Sequence, residues 1–354
     1  MIGRTASCSR ALLVLCIILV LFPWVDGCIP ALSERGKGLS TPAGKKRGMT
    51  FRSDDYVVYR LEGWETPADL AKIFLGDQSK AWIIEDENKD VHFEKGRHVV
   101  IPLREEKKGG LGREGYQVVP ILRYHRFGKD CNSPLCISPQ LFELQMRYLK
   151  DHGYRVITLD EMKGFLTYRR RIPERSVVVT IDDGDKSFYD IALPILNKYG
   201  FKAAIFIYTG VIGRSNNALN WDQLREIKAL GFDIGSHGVS RGSLTKQRPG
   251  EDERGSLERV EKELADSKKV IDRNLNQDTD LLAYPFEKTS PRILLIAERV
   301  GYSIGLTDQP GSNPFFADPM SLKRWRITEQ DKDGFIASLQ VFKRFFLREN
   351  SGEN

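Results

Sequence analysis

Histidine is scarce in this chain: its 354 residues include five, and none lies beyond His237. Few imidazoles are therefore available for metal ligation or proton transfer. His92 and His98 fall in a small N-terminal unit and His152 in a helix–strand turn, which leaves His125 and His237 at the ends of strand-like runs. Cysteine is equally sparse at five, and Cys8, Cys16 and Cys28 all lie near the start. Only Cys131 and Cys136 remain for the folded part. Their CNSPLC loop is short enough for a disulfide to close in an oxidising compartment, the alternative being two free thiols. Long apolar runs are missing as well. ALLVLCIILVLF (11–22) has 12 residues, too few to span a bilayer comfortably, and follows Arg4 and Arg10, so residues 1–27 read as an export signal. Folded segments also lack basic excess. Of the net +6, residues 34–52 hold +5 (Arg35, Lys37, Lys45, Lys46, Arg47 and Arg52 against Glu34), which removes any nucleic-acid footprint.

What is present is ordinary for a globular protein: 41% hydrophobic and 29% charged residues, in a length that fits two domains. The signal ends in VDGC, which resembles a bacterial lipobox. That resemblance implies cleavage before Cys28, lipidation of its thiol, and a lipoprotein held in the cell envelope, in the periplasm or at the outer membrane. Asp26 is unusual in the motif, so cleavage of an ordinary signal stays open. Residues 28–53 are rich in Gly, Pro, Ser and Lys and read as a flexible basic tether, lying along anionic headgroups or simply solvated.

Residues 54–104 read as strand, helix, helix, strand. YVVYRL opens the unit and HVVIPL closes it; in TPADLAKIFLG, Thr66 caps a helix, Pro67 suits its first turn, and Leu70, Ile73 and Phe74 share a face. The unit resembles a LysM domain through Tyr56-Val57-Val58, Thr66, Leu70-Ala71, Phe74-Leu75-Gly76-Asp77, Trp82, Ile84, Asn88, Gly96 and Ile101-Pro102. Such modules bind N-acetylglucosamine-containing glycans, peptidoglycan or chitin-like polymer; a unit that only spaces or docks is the alternative.

After a charged, Gly-rich linker (105–117), residues 118–345 alternate apolar strands (VVPILRYH, SVVVTID, KAAIFIYT, FDIGSH, LLAYP, YSIGLT) with amphipathic helices, the pattern of a parallel α/β barrel or open sheet. Polar residues close several strands: His125, Asp182-Asp183 and His237. In such folds active sites form there. In TIDDG (180–184) the paired carboxylates suit metal binding and proton abstraction from water, whereas a helix cap plus a turn Asp would look the same.

TIDDG, the following KSFYDIALPILNKYGFKAAIFI, WDQL, GFDIGSH and AYPF stand in the order and spacing of the polysaccharide deacetylase (NodB-homology) family of carbohydrate esterases, which this region resembles over roughly 118–330. VPILRYHRFG is similar to the branch acting on poly-N-acetylglucosamine. The resemblance implies a distorted parallel (β/α) barrel that hydrolyses acetyl groups from glycan with a divalent metal, most often zinc. It assigns Asp182 as general base, Asp183 and His237 as metal ligands, and Trp221, Tyr284, Pro285 and Arg324 as substrate-binding residues. Departures stand out. Arg241 occupies the second histidine of His-x-x-x-His, and guanidinium has no lone pair to give a metal. Ala283 replaces a common arginine, and no late Leu-x-His supplies an acid. His125 is left to act as acid, as substitute ligand, or as a structural residue. The expected function is deacetylation of an N-acetylglucosamine polysaccharide in the envelope. The alternatives are a catalytically impaired homologue that binds glycan, and a scaffold in glycan export.

Overall fold

The computed structural model describes residues 48–104, 110–112, 114–129, 131–287, 289–329 and 332–345. The export signal, Cys28 and the tether up to residue 47 lie outside the described residues.

The first elements are β1 (Met49–Arg52), β2 (Tyr56–Arg60), α1 (Pro67–Leu75), α2 (Ala81–Glu87) and β3 (His98–Pro102), with the strands in antiparallel order β1-β2-β3. Residues 49–52, read from sequence as the end of the tether, are instead an edge strand paired antiparallel with β2, and Thr50 Oγ1 donates to Val58 O at 2.9 Å. Thr66 and Asp69 close a capping box at the start of α1. Val57, Tyr59, Leu70, Ile84, Val99 and Ile101 form the core of this unit. Its 61–66 loop is tied by the buried Glu65 carboxylate, which accepts from Tyr59 Oη (2.7 Å) and from the Glu62, Gly63 and Trp64 amides. The loop holds Trp64 out in solvent, 60% exposed.

The larger part contains β4 (Gly115–Tyr124), β5 (Arg126–Phe127), β6 (Cys136–Ile137), α3 (Pro139–Asp151), β7 (Arg155–Val156), α4 (Leu159–Leu166), β8 (Ser176–Ile181), α5 (Leu193–Tyr199), β9 (Ala204–Ile207), α6 (Trp221–Ala229), β10 (Asp233–Ser236), α7 (Glu253–Leu275), β11 (Leu281–Ala283), α8 (Pro291–Val300), β12 (Ile304–Leu306), β13 (Ser312–Pro314), β14 (Trp325–Arg326), α9 (Lys332–Ser338) and β15 (Phe342–Arg344). The order β12-β11-β10-β9-β8-β4 is parallel throughout. Continuous runs such as SVVVTI suit such strands because helices cover the sheet and every β8 residue is buried. Segment 322–327 closes the barrel. Thr307 N donates to Leu322 O, β14 pairs in parallel with β4, and Ile327 N donates to Arg123 O. The distorted parallel barrel expected from the sequence is the fold found. Its interior is filled by Val119, Ile121, Val178, Phe206, Ala283, Ile304 and Leu306.

The small unit docks at the end where β7 and β8 begin. Glu85 meets Arg155, Lys89 meets Glu174, Asp86 Oδ2 accepts from Glu174 N at 3.2 Å, and the Arg171 guanidinium lies over the Trp82 ring at 5.7 Å. The strands run away from this contact, so the residues at their C-terminal ends gather at the opposite mouth.

Candidate active site

A cleft of about 250 Å³ opens at that mouth, lined by His125, Leu135, Asp182, Asp183, Tyr208, His237, Arg241, Phe286 and Arg326. His125, Asp182, Tyr208 and His237 each directly follow a strand, Arg326 ends β14, and Leu135 precedes β6 on the Cys131–Cys136 loop. Asp182 continues β8 and its amide still donates to Tyr124 O at 2.9 Å. The chain then turns through two left-handed residues, Asp183 (φ 78°) and Gly184 (φ 68°). A Cβ on Gly184 would stand 3.0 Å from Ile207 Cγ2, so this place needs glycine for space as well as for φ. Left-handed φ at Asp183 is uncommon for a side-chain-bearing residue, and such strain is kept mostly where function uses it.

His237 follows β10. Its Nδ1 is 2.7 Å from Ala283 O, so the ring donates there and turns the Nε2 lone pair to the cleft. Helix α7 holds the turn beneath it: Ser267 Oγ is 2.7 Å from Ser236 Oγ and donates to Gly238 O, while Glu263 accepts from Val239 N and Ser240 N. Asp252 caps that helix, and Val260, Leu264, Ile271 and Leu275 bury one stripe of it. The loop backbone is thus fixed up to Ser240, and Arg241 projects from its end with a side chain 62% exposed.

Arg324 decides the electrostatics. Fully buried, it donates from Nη1 to Asp182 Oδ1 at 2.8 Å and from Nε to Thr307 O at 2.9 Å. Burial alone would raise the Asp182 carboxyl, but Arg324, assisted by His237 and His125, holds it well below the usual carboxylate range. Asp182 is therefore ionised at any working pH. Burial pushes the His125 imidazole down to about 3, Asp182 opposing and Arg123 and Arg324 adding to the fall, so the ring is neutral near pH 7. As an acid it has a neutral N–H to offer, not an imidazolium. Burial also lowers His237 and raises Asp183, and keeps the Tyr208 hydroxyl protonated.

Asp183 Oδ1 and His237 Nε2 stand 3.8 Å apart, a separation that two ligands of one ion can have. At the third place, however, Arg241 Nη2 lies 3.3 Å from Asp183 Oδ2, with its guanidinium 5.5 Å over the Tyr208 ring. Among the described residues no three His, Cys, Asp or Glu side chains cluster in reach of a metal. Catalytic zinc ordinarily has three protein ligands. Two donors facing a cation do not make that set.

Other sequence expectations fall elsewhere. Arg324 stands behind Asp182 and not on the cleft wall. Tyr284 is buried with its hydroxyl on Met320 O, and Pro285 is buried beside it. Trp221 packs against the hydrophobic core at the start of α6. None of the four lines the cleft. Cys131 and Cys136 form a disulfide, and Leu135 on that loop is a cleft wall. Leu135, Tyr208, Phe286 and Arg326 escaped the sequence reading, although Tyr208 directly follows β9, Arg326 ends β14 and Phe286 lies just beyond β11.

A family model described as polysaccharide deacetylase matches residues 169–305. The chain is 32% identical over 210 residues to YxkH of Bacillus subtilis, whose name places it among the polysaccharide deacetylases; the match covers 59% of this chain and 71% of that one. The chain belongs to the polysaccharide deacetylase family. It is also 29% identical over 192 residues to the poly-beta-1,6-N-acetyl-D-glucosamine N-deacetylase of Staphylococcus aureus, spanning 51% of this chain and 65% of that enzyme. Among solved structures, the Streptococcus pyogenes deacetylase PplD in complex with acetate superposes with a TM-score of 0.58 at 29% identity, covering 63% of this chain and 98% of that one. Within this family the Arg241 position calls for a direct test. Arg241→His removes the cation from Asp183 and adds a lone pair. Zinc affinity, measured by calorimetric titration, should rise at least about tenfold, the low end of what even outer-shell changes produce. A parent that already binds one zinc tightly, with the variant no better, would overturn the expectation and make His125 the next ligand to test.

Proposed function

We propose that the chain hydrolyses acetyl groups from an N-acetylglucosamine-containing polysaccharide of the cell envelope. The observation that carries this reading is the convergence of Asp182, Asp183 and His237 in one cleft at the barrel mouth of a family fold. No step is assigned to a metal, because the donor set does not make a catalytic site. Asp182, ionised by Arg324, is placed to take a proton from water as its oxygen attacks the acetyl carbon. When the tetrahedral intermediate collapses, the C–N bond breaks, acetate leaves, and the proton held on Asp182 passes to the departing amine. His237 and Asp183 orient the water, and Leu135 and Phe286 present apolar surface to the sugar. The test is acetate release from N-acetylglucosamine polymer by the full chain beside its Asp182→Asn counterpart. Release by neither chain would sink the reading.

The Arg241–Asp183 pair favours a second reading, a homologue that binds glycan without cleaving it. An inactive parent that gains acetate release through Arg241→His would establish that version.

The small unit is assigned to retention on the polymer, in line with its LysM-like pattern. Trp64 is its exposed ring on a locked loop, so Trp64→Ala should weaken co-sedimentation with insoluble chitin about threefold to tenfold, the worth of one aromatic contact. Undiminished retention would make the unit a spacer. The VDGC pattern supports a lipid anchor at Cys28. Cys28→Ser should then release the chain from membranes of a bacterial host, and equal membrane association of both forms would rule the anchor out.

A further inference from the structure

We propose that the Tyr208 hydroxyl is the donor that holds the acetyl oxygen as it takes up negative charge. The inference rests on the hydrolytic reading above and adds a catalytic residue to it. Tyr208 directly follows β9, which lies between β8 and β10 in the sheet, so it stands between Asp182 and His237 on the barrel rim. Side chains alternate along a strand. Ile205 and Ile207 pack in the layer that includes Leu196 of α5 and Leu224 of α6, whereas Phe206 fills the barrel interior. Tyr208 therefore turns inward like Phe206, and it lines the cleft. Its ring packs on His237 with centroids 4.3 Å apart, and the Arg241 guanidinium lies 5.5 Å from the ring centre. The residue is 3% exposed, yet among the described residues its hydroxyl has no hydrogen-bond partner. Nor is that oxygen among the sealed, unsatisfied polar atoms of the fold, so it opens on the cleft.

Hydrolysis needs a donor there. As the water oxygen bonds to the acetyl carbon, the carbonyl electron pair moves onto the carbonyl oxygen, and a preorganised hydrogen bond to that oxyanion lowers the barrier. Most side chains of the cleft cannot give one. Asp182 and Asp183 are carboxylates and only accept. His237 uses its N–H on Ala283 O and turns a lone pair to the cleft. Arg241 and Arg326 are exposed, so their guanidiniums are hydrated and not preorganised. His125 and Tyr208 remain, and they flank Asp182 on opposite sides, following β4 and β9. Tyr208 is on the side of His237 and Asp183, which orient the attacking water, so it is the donor placed for the oxygen of the carbon that this water meets. A neutral hydroxyl bonds the planar acetamide weakly and the oxyanion strongly, which is the differential binding that raises kcat. Tyr208 keeps its proton throughout. The electron pair returns to the carbonyl as the C–N bond breaks, and the nitrogen takes its proton from Asp182.

The experiment compares the full chain with Tyr208→Phe, which deletes the hydroxyl and keeps the ring on His237. No protein hydrogen bond is lost, so the melting temperature should not move. On N-acetylglucosamine oligomers kcat should fall about 10²–10³-fold with KM within about twofold, the signature of a contact made in the transition state. Oligomers bearing thioacetyl groups give a second readout, because sulfur accepts hydrogen bonds poorly. The parent should favour acetyl over thioacetyl, and the variant should lose most of that preference. Calorimetry supplies a readout without turnover: an oligomer with a methylphosphonyl group in place of one acetyl carries a stable tetrahedral anion. It should bind the parent about tenfold or more tighter than Tyr208→Phe, the value of one hydrogen bond to a charged group. An unchanged kcat, a raised KM at constant kcat, or equal affinity for the phosphonyl oligomer overturns the proposal. If the parent releases no acetate, the hydrolytic reading falls and the affinity ratio alone decides the role of Tyr208: a tenfold difference supports the donor, and equal affinity or no binding by either chain rejects it.

Discussion

Asp182→Asn should lower acetate release from N-acetylglucosamine polymer by about 10²–10⁴-fold, the span of general acid–base catalysis. An amide oxygen can still accept the Arg324 hydrogen bond at 2.8 Å, so geometry survives, but it cannot take a proton from the attacking water. The pairing has two sides. Arg324 guarantees an ionised carboxylate, and it also weakens that carboxylate's pull on a proton, which makes orientation count for more than basicity here. Circular dichroism should report an intact fold with an earlier melt, because Arg324 loses its counter-charge. Unchanged acetate release would move the chemistry away from Asp182, and Asp183 would be tested next.

Arg324→Met should cost about 3–5 kcal/mol of stability at pH 7, since removing one partner leaves Asp182 as an uncompensated buried charge. The two side chains are fully or nearly fully buried, so solvent does little to screen them. The pH dependence separates this from simple loss of packing. In the parent the Asp182 carboxyl is held below its unfolded value of about 3.9, so its contribution is present above that pH and is lost only as pH falls through the depressed folded value. In the variant, burial without Arg324 raises the folded value. Variant stability then grows as pH falls from 7 toward 4, and the gap to the parent narrows. Asp182→Asn in the Arg324→Met background should recover much of the loss. A gap that is constant with pH, measured by urea unfolding from pH 4 to 7, would show that the charge is not the cause.

Much of this protein was legible in its residues. Continuous β-branched runs predicted parallel strands because both faces of a barrel strand are buried, one under helices and one in the barrel interior, and TIDDG and GSH marked strand ends because polar residues there interrupt buried backbone. Thr66, Pro67 and the alternation of strand and helix are signals carried within a few residues, where sequence order and spatial order coincide. The edge strand 49–52 escaped, since a short strand gains its stability from a partner and not from its own composition. The four residues expected to bind substrate were assigned by resemblance to motifs, and motif position says nothing of which way a side chain turns once the barrel closes. Tyr284 turned inward to Met320, and Arg324 turned behind Asp182.

The sequence by itself determined the strand-and-helix alternation, the barrel class, the carboxylate pair and the missing second histidine. Only the tertiary structure decided what surrounds them. Arg324 and Asp182 are 142 residues apart and meet because segment 322–327 closes the barrel between β12 and β4. Arg241 meets Asp183 because α7 pins the loop from below, and among the described residues Arg326 stands at the mouth with no hydrogen bond or ion pair. Local patterns set which backbone hydrogen bonds form. The charge on each group, and what it can hold, depends on distances that exist only after the chain has closed on itself.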